Sequence, residues 1–257
     1  MKLLPLLDRA APALTFAGLL LAWELACRLL AIPPYVLPSP SAIVQAGLSM
    51  EGSHWLGHVI ATLQVAFTGF LIAILIALPL AIGLTSSRLL SRTVLPLLVV
   101  VQSTPVVAIA PIIVVTLGAG MLPRVVITTM ITFFPLVIST AAGLVSVPAE
   151  LIELSRSLRA PRFREYTQIR LPYGVPYIFS ALKVSSTLAV VGAVVAEFVA
   201  AERGLGYLIM FSTSSFKVPL AFAALVVLVA CSLAVFKLIG LVQRKLFPWS
   251  IPKDEWS

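Results

Sequence analysis

The two histidines are the first residues of this chain whose type and spacing could do chemistry. His54 and His58 lie four positions apart, which can place two imidazoles on one helix face, as in a metal site. No further ligand follows them at a metal-binding spacing, and Cys27 and Cys231 lie in separate apolar segments. We therefore predict no metal site and no catalytic residue, and the cysteines as small buried hydrophobes. A membrane-embedded enzyme is thereby disfavoured, and metal analysis of the purified protein tests that alternative.

The carboxylate of Glu197 is the second candidate. It lies in the apolar run VVGAVVAEFVAAERGLGY, with no basic residue three or four positions away on its own helix. Acids inside a membrane usually face a cavity or the bundle interior. Two interpretations stay open. Glu197 is either an interfacial carboxylate, hydrated or paired with Arg203 or another chain, or a group that lines a translocation pathway or gate.

The other charges inside apolar segments have simpler explanations. Glu24 and Arg28 are four apart on one helix, the spacing at which opposite charges meet. Lys183 and Lys237 lie a few turns from the ends of their segments, so their ammonium groups can reach the interface along their own aliphatic stems.

Three consecutive polar residues, Gln102, Ser103 and Thr104, precede Pro105 in an otherwise apolar segment. Proline removes a backbone donor and kinks a membrane helix, and neighbouring hydroxyl groups can repair the freed backbone. For any single residue repair is the favoured interpretation. The cluster as a whole predicts a polar passage between helices.

Membrane helices must position these residues. With 60% hydrophobic and 11% charged residues, the chain is far more apolar than a soluble domain. Apolar windows of about 20 residues recur and read as helices because they do not alternate polar and apolar positions. We predict an all-α integral membrane protein, one domain over residues 1–257, with six spans at about 10–30, 59–84, 93–117, 125–145, 175–200 and 218–242.

The basic residues predict the orientation. Twelve lysines and arginines fall at one set of helix ends and four at the other, and the richer side of a membrane protein is cytoplasmic. Both termini are therefore predicted inside the cell. Because the net charge of +8 is concentrated in connectors, it indicates topology and not nucleic-acid binding.

The outer connector after the first span predicts a short surface helix. Ser39 followed by Pro40 is a typical cap and first turn. Ile43, Val44 and Leu48 are expected to form its apolar face.

The cytoplasmic connector from Ser146 to Pro172 is the most charged part of the chain, with five arginines and three glutamates. A helix is predicted over 148–159, with Pro148 in its first turn and an apolar stripe of Leu151, Leu154 and Leu158. Such a helix can fit a groove on a second protein, and the alternative is a solvated loop. Its other faces carry Glu150, Glu153, Arg156 and Arg159.

The same connector resembles the signature of bacterial ABC importer permeases: EAA, three residues, G, nine residues, I-x-L-P. The matching positions are Glu153, Leu154, Ser155, position 159, Ile169, Leu171 and Pro172, with both intervals conserved in length. Leu154 and Ser155 replace the alanines, and Arg159 replaces the glycine. LPSPSAI, TPVVAIAP and AEFVAAERGLGYLI further resemble the nitrate/sulfonate/taurine branch.

The resemblance implies a type I importer permease in the bacterial inner membrane. Its implied partners are a second copy of the chain, two cytoplasmic ATPases that dock on the connector helix, and an external substrate-binding protein. ATP and Mg²⁺ would bind the ATPases, since no G-x-x-x-x-G-K-[ST] loop occurs here. The implied cargo is a small anion, such as a sulfonate or nitrate, or a pyrimidine-type vitamin precursor. The alternative is a secondary transporter driven by an ion gradient.

Overall fold

The computed structural model describes residues 4–251, and the described part is built from helices. The long helices pass back and forth and are joined by short connectors. In chain order they are α1 (Leu4–Leu29), α2 (Pro40–Ser49), α3 (Gly52–Ser86), α4 (Arg88–Ser103), α5 (Val106–Leu117), α6 (Met121–Val145), α7 (Ala149–Ser157), α8 (Arg162–Arg164), a π-helical segment (Glu165–Arg170), α9 (Leu171–Ala200), α10 (Leu205–Ser214), α11 (Val218–Leu246) and a 3₁₀ turn (Pro248–Ser250).

The core is formed by α3, α6 and α9, which pack along their lengths. Small residues allow the backbones of these helices to approach closely. This is expected in a membrane, where helices associate through close packing because lipid is as apolar as their side chains. A Cβ on Gly69 of α3 would lie 2.7 Å from Thr128 of α6, and one on Gly192 of α9 would lie 3.1 Å from the Thr128 Cα. Larger apolar side chains, including Phe70, Leu136 and Val190, fill the space between these contacts.

The third predicted span, 93–117, is wrong as a single helix. It consists of α4 and α5, which meet at an angle of 91°. Thr104 between them has extended backbone angles, φ −80° and ψ 122°, because the ring of Pro105 disfavours a helical conformation in the residue before it. The described chain therefore has five helices long and apolar enough to cross a membrane, and a sixth crossing if the bent pair counts as one.

The connector after α1 contains the predicted surface helix, α2. Ser39 accepts a hydrogen bond from the Ala42 backbone N–H at 3.4 Å, and Pro40 is the first helical residue. Its predicted apolar face is divided, however. Ile43 is buried in the subunit, whereas Val44 and Leu48 are exposed.

The predicted Glu24–Arg28 pair is present, and its carboxylate also binds a residue of a second helix. Arg28 Nε lies 2.6 Å from Glu24 Oε1. The same carboxylate accepts hydrogen bonds from the Ser41 backbone N–H at 3.0 Å and the Ser41 hydroxyl at 2.8 Å. Glu24 thus connects α1 to the start of α2.

Candidate functional site

Helix α7 lies in the connector between α6 and α9, where the sequence predicts a docking helix over 148–159. Pro148 precedes its first residue, and Leu158 ends it. Glu150 lies in the first turn and Arg156 in the last, so both charges complement the helix dipole. A helix of nine residues is marginal in water alone, so its packing against the bundle has to stabilise it.

The two faces of α7 differ in exposure. Ile152 and Ser155 are buried against the rest of the subunit, at 9% and 5% exposure. Leu154 and Leu158 are exposed at 56% and 73%, and Leu151 is half-buried. The predicted leucine stripe therefore points mainly away from the subunit, and Ile152 and Ser155 attach the helix.

The remaining charged residues predicted for this surface lie on the exposed side. They are Glu150, Glu153, Arg156 and Arg159.

The end of α7 explains why position 159 carries glycine in the resembled signature. Arg159 has φ +51°, a left-handed conformation that glycine adopts without cost. The Ala160 N–H donates to the Ser155 carbonyl at 3.0 Å, and the Arg159 N–H donates to the Arg156 carbonyl at 2.9 Å. These two bonds form a Schellman ending. The turn therefore forms with arginine in the place of glycine.

The second half of the connector is tied to the bundle. Arg170 Nε lies 2.7 Å from Glu165 Oε1, and Arg170 Nη1 donates to the Leu144 carbonyl of α6 at 3.1 Å. The Tyr166 hydroxyl donates to Thr85 Oγ1 of α3 at 3.3 Å. The connector is thus attached to two of the three core helices.

The end of the signature leads from this anchored segment into the third core helix. Ile169, Leu171 and Pro172 are half-buried at the start of α9. The connector segment that follows α7 therefore contacts α3 and α6 and continues into α9.

At the opposite end of the subunit, Glu197 forms a second polar site. Its side chain is fully buried, and Oε2 accepts hydrogen bonds from Thr62 Oγ1 at 3.1 Å and the Gly206 N–H at 2.7 Å. Thr62 Oγ1 in turn accepts from the Leu205 N–H at 2.7 Å. The carboxylate and hydroxyl thus satisfy N–H groups at the start of α10, which have no partner within their own helix.

His58 completes this site, which we call the outer cluster: His58, Thr62, Glu197, Gly204, Leu205 and Gly206. The Gly204 N–H lies 3.1 Å from His58 Nδ1, and the imidazole stacks on Tyr207 with ring centroids 6.3 Å apart. These two contacts hold the His58 imidazole against the start of α10.

Sequence reasoning missed Thr62, which is 135 residues from Glu197. The two glycines of the Gly-Leu-Gly sequence at 204–206 were the available signal for a tight turn or close backbone approach there.

The pairing of Glu197 with Arg203 within the chain is wrong. Among residues 11–251, whose side chains the structure describes, ion pairs within 4.0 Å are formed by Arg28 with Glu24 and by Arg170 with Glu165. Glu197 is buried in the subunit and not at its surface; Thr62 and Gly206 hydrogen-bond to Oε2, whereas Oε1 has no hydrogen-bond partner among the described side chains.

The polar cluster at the helix break lies apart from the outer cluster. Ser103 Oγ donates to the Val99 carbonyl at 2.8 Å, and Thr104 Oγ1 donates to the Val100 carbonyl at 3.2 Å. These are backbone-repair bonds. Gln102 instead lines a cavity of about 210 Å³ between α4 and α6, beside Thr129. All three polar residues are exposed on the single subunit.

Comparison with known proteins shows the family. The family described as "Binding-protein-dependent transport system inner membrane component" matches residues 69–248. The riboflavin transport system permease of Chloroflexus aurantiacus is 37% identical, over 91% of this chain and 88% of its own. The formylaminopyrimidine transport permease of Halalkalibacterium halodurans is 32% identical, over 93% and 95%.

The fold has solved counterparts. An inward-facing structure of the MetNI methionine ABC transporter superposes with a TM-score of 0.65 at 22% identity, over 79% of this chain and 100% of that one. The predicted all-α type I permease architecture is thereby confirmed.

The alternative of an ion-driven secondary transporter is wrong, because the family and the relatives are ABC importer permeases, which take up small solutes. Such permeases are multi-pass inner-membrane subunits, not enzymes, and work with separate ATPases and a substrate-binding protein. With most of its length matched, the chain belongs to the family of binding-protein-dependent transport system inner membrane components.

Proposed function

We propose that two copies of this chain form the membrane part of the importer, and that α7 of each copy docks into one ATPase. ATP and Mg²⁺ bind the ATPases, both chain termini face the cytoplasm, and the binding protein delivers cargo at the outer side. The observation that carries the proposal is the exposed pair Leu154 and Leu158, at 56% and 73%, on a helix attached by its other face.

An exposed apolar pair flanked by charges has the composition of a helix that fits a partner's groove. Because the face with Leu154 and Leu158 is not needed to hold α7 on its own subunit, it is available to the ATPase. Glu153 and Arg156 beside it supply the charges that select one orientation of docking.

Movement of the docked helix reaches the membrane through the anchored segment Arg162–Arg170. Arg170 contacts Glu165 and the end of α6, and the segment continues into α9. Closure of the ATPase dimer would therefore displace α6 and α9 together as a rigid-body change between inward- and outward-facing states.

The passage follows the break between α4 and α5 in this proposal. Gln102, Ser103 and Thr104 are exposed there, and Gln102 opens on the adjoining cavity. Glu197 does not line this break, because its side chain is fully buried and holds the start of α10.

The proposed cargo is a nitrogen heterocycle of vitamin or vitamin-precursor type. The riboflavin and formylaminopyrimidine permeases, at 37% and 32% identity, support this class. A small organic anion is the second candidate, because Arg124 and Arg203, with a single carboxylate from Glu202, line an outer cleft of about 520 Å³. Uptake of riboflavin, formylaminopyrimidine and taurine by the reconstituted complex decides between them.

The docking role is tested with Glu153→Lys in the chain co-expressed with its cognate ATPase. We expect the variant to insert normally but to lose ATPase co-purification and transport. Glu51→Lys makes the same charge change at the outer side and is the matched control. Full transport and normal ATPase recovery with Glu153→Lys would overturn the proposal.

A further inference from the structure

A basic cleft of about 390 Å³ lies between α9 and α11. Lys183 of α9 faces Lys237 and Arg244 of α11 across it. Lys237 and Arg244 are seven positions apart, so they lie on one face of α11, two turns from each other. Apolar residues complete the lining: Phe236, Leu241 and Ile251.

Within the described residues the three cations have no acidic counterpart. No described aspartate or glutamate lines the cleft, and the ion pairs among the side chains of residues 11–251 are formed elsewhere, by Arg28 and Arg170. Lys183 runs across Gly240, where an added Cβ would lie 3.7 Å from the Lys183 Cε. The positive charges are therefore brought together and not dispersed, although like charges repel.

The depth of the cleft matches the phosphate layer of a bilayer. Lys183 lies about 26 Å along α9 from Ala200, and Lys237 about 29 Å along α11 from Val218, at 1.5 Å per residue. The hydrocarbon core is about 30 Å thick, so both lysines reach its boundary. Phe179 of α9, near the helix end that follows the connector with α7, packs at a tilt against Phe247 after α11, with ring centroids 5.4 Å apart. The cleft therefore lies toward the end of the subunit that carries α7.

Exposed apolar side chains continue from the cleft toward the membrane centre. Leu233 and Phe236 on α11 are exposed at 54% and 39%, and Leu241 at 60% lies beside Arg244. A ligand that fits has a negative headgroup and apolar chains. Basic pockets between membrane helices have this preference for anionic lipids.

We propose that the cleft of Lys183, Lys237 and Arg244 binds the headgroup phosphate of an anionic phospholipid, whose acyl chains lie along α11. The site is separate from α7 and from the cargo passage. Its cytoplasmic location rests on the proposed orientation of the subunit.

The test measures lipid retention by the full-length permease purified in detergent. Phosphatidylglycerol and phosphatidylcholine are added in equal amounts, and bound lipid is counted by native mass spectrometry. Wild type should retain phosphatidylglycerol preferentially. In K183Q/K237Q we expect the preference to fall about 25-fold, since each basic residue near an anionic surface contributes about fivefold.

Two matched variants separate charge at the cleft from charge in general. R88Q/R92Q removes two exposed cations on the same side of the membrane, outside the cleft, and should keep the preference. K183R/K237R keeps both charges and should keep it as well, and it shows that the positions tolerate replacement. An unchanged preference in K183Q/K237Q, or equal retention of both lipids by wild type, overturns the proposal.

Two further arms distinguish other occupants. Millimolar inorganic phosphate should not displace the lipid; displacement would make a soluble phosphate the ligand and overturn the lipid assignment. The sequence after Ile251 contains Asp254 and Glu255, which lie outside the described residues. D254N/E255Q should leave lipid retention unchanged. A large gain in retention would show that these carboxylates, and not a lipid, fill the cleft of the wild-type chain, which also contradicts the proposal.

Discussion

The outer cluster and helix α7 occupy opposite ends of the subunit and are built in opposite ways. In the outer cluster, Glu197 and Thr62 are fully buried and hydrogen-bond to the start of α10. On α7, Leu154 and Leu158 are exposed. At the outer cluster, side chains of the same subunit cap the start of α10. At α7, the subunit leaves an apolar surface uncovered.

This difference separates stability from assembly. Removing a hydrogen-bond partner from a buried carboxylate leaves a desolvated polar group, which costs free energy of folding. Exposed leucines contribute little to the stability of the isolated subunit, because most of their apolar surface is accessible in the folded chain as well as in the unfolded chain. Substitutions in the outer cluster should therefore destabilise the chain, and substitutions on the exposed face of α7 should affect its partner.

The largest expected effect is that of Gly204→Ala. Gly204 has φ +128° and ψ 164°, a region essentially restricted to glycine, and an added Cβ would overlap the Glu197 carboxylate. We expect a loss of about 3–5 kcal/mol from combined strain and overpacking, measured as a fall in the thermal unfolding midpoint in detergent.

Gly57→Ala is the control for that substitution. Gly57 lies in α3 with no atom within 4 Å of an added Cβ, so the variant should be neutral or stabilised by up to about 1 kcal/mol. Equal stability of the two variants would contradict the tight packing of the outer cluster.

A pair of substitutions on α7 tests the division of its faces. Ile152→Ala should cost about 2–5 kcal/mol, because Ile152 is 9% exposed and its loss leaves a cavity. Leu154→Ala, from a side chain 56% exposed, should leave the unfolding midpoint unchanged but lower ATPase co-purification. If Leu154→Ala were the more destabilising variant, the assignment of the two faces would be reversed.

Thr62→Val should have an intermediate effect. The substitution keeps the shape but leaves the Leu205 N–H and Glu197 Oε2 without the hydroxyl, at a cost of about 1–3 kcal/mol. Thr68→Val on the same helix loses only a bond to its own backbone, to the Gln64 carbonyl, and serves as the reference in the same unfolding assay. A smaller loss for Thr62→Val than for Thr68→Val would argue against a structural role of the network.

The smallest expected effect is a gain. Arg159→Gly places glycine at the left-handed position, φ +51°, and should stabilise the turn after α7 by about 1 kcal/mol. We expect a higher unfolding midpoint with ATPase co-purification retained. A lower midpoint would mean that the arginine side chain contributes more than its backbone strain costs.

Local features of the sequence were sufficient for much of this architecture. The α7 helix, its leucine stripe and the Ser39 cap follow from residue types at short spacing, because helical periodicity and capping act over a few residues. The Glu24–Arg28 pair is predictable for the same reason. The extent of the bend at Pro105 was not, since proline permits a kink but the packing of α4 and α5 determines its angle.

By itself the sequence determined that the chain is helical and apolar enough to span a membrane and that the connector with α7 carries an amphipathic helix, because composition and periodicity are local properties. Only the tertiary structure decided that Glu197 meets Thr62 and not Arg203, that Ile152 and not Leu154 attaches α7, and that Lys183 faces Lys237 and Arg244. These contacts join residues that are far apart in the chain or on different faces of one helix. They depend on how α3, α6, α9 and α11 pack, which no local pattern specifies.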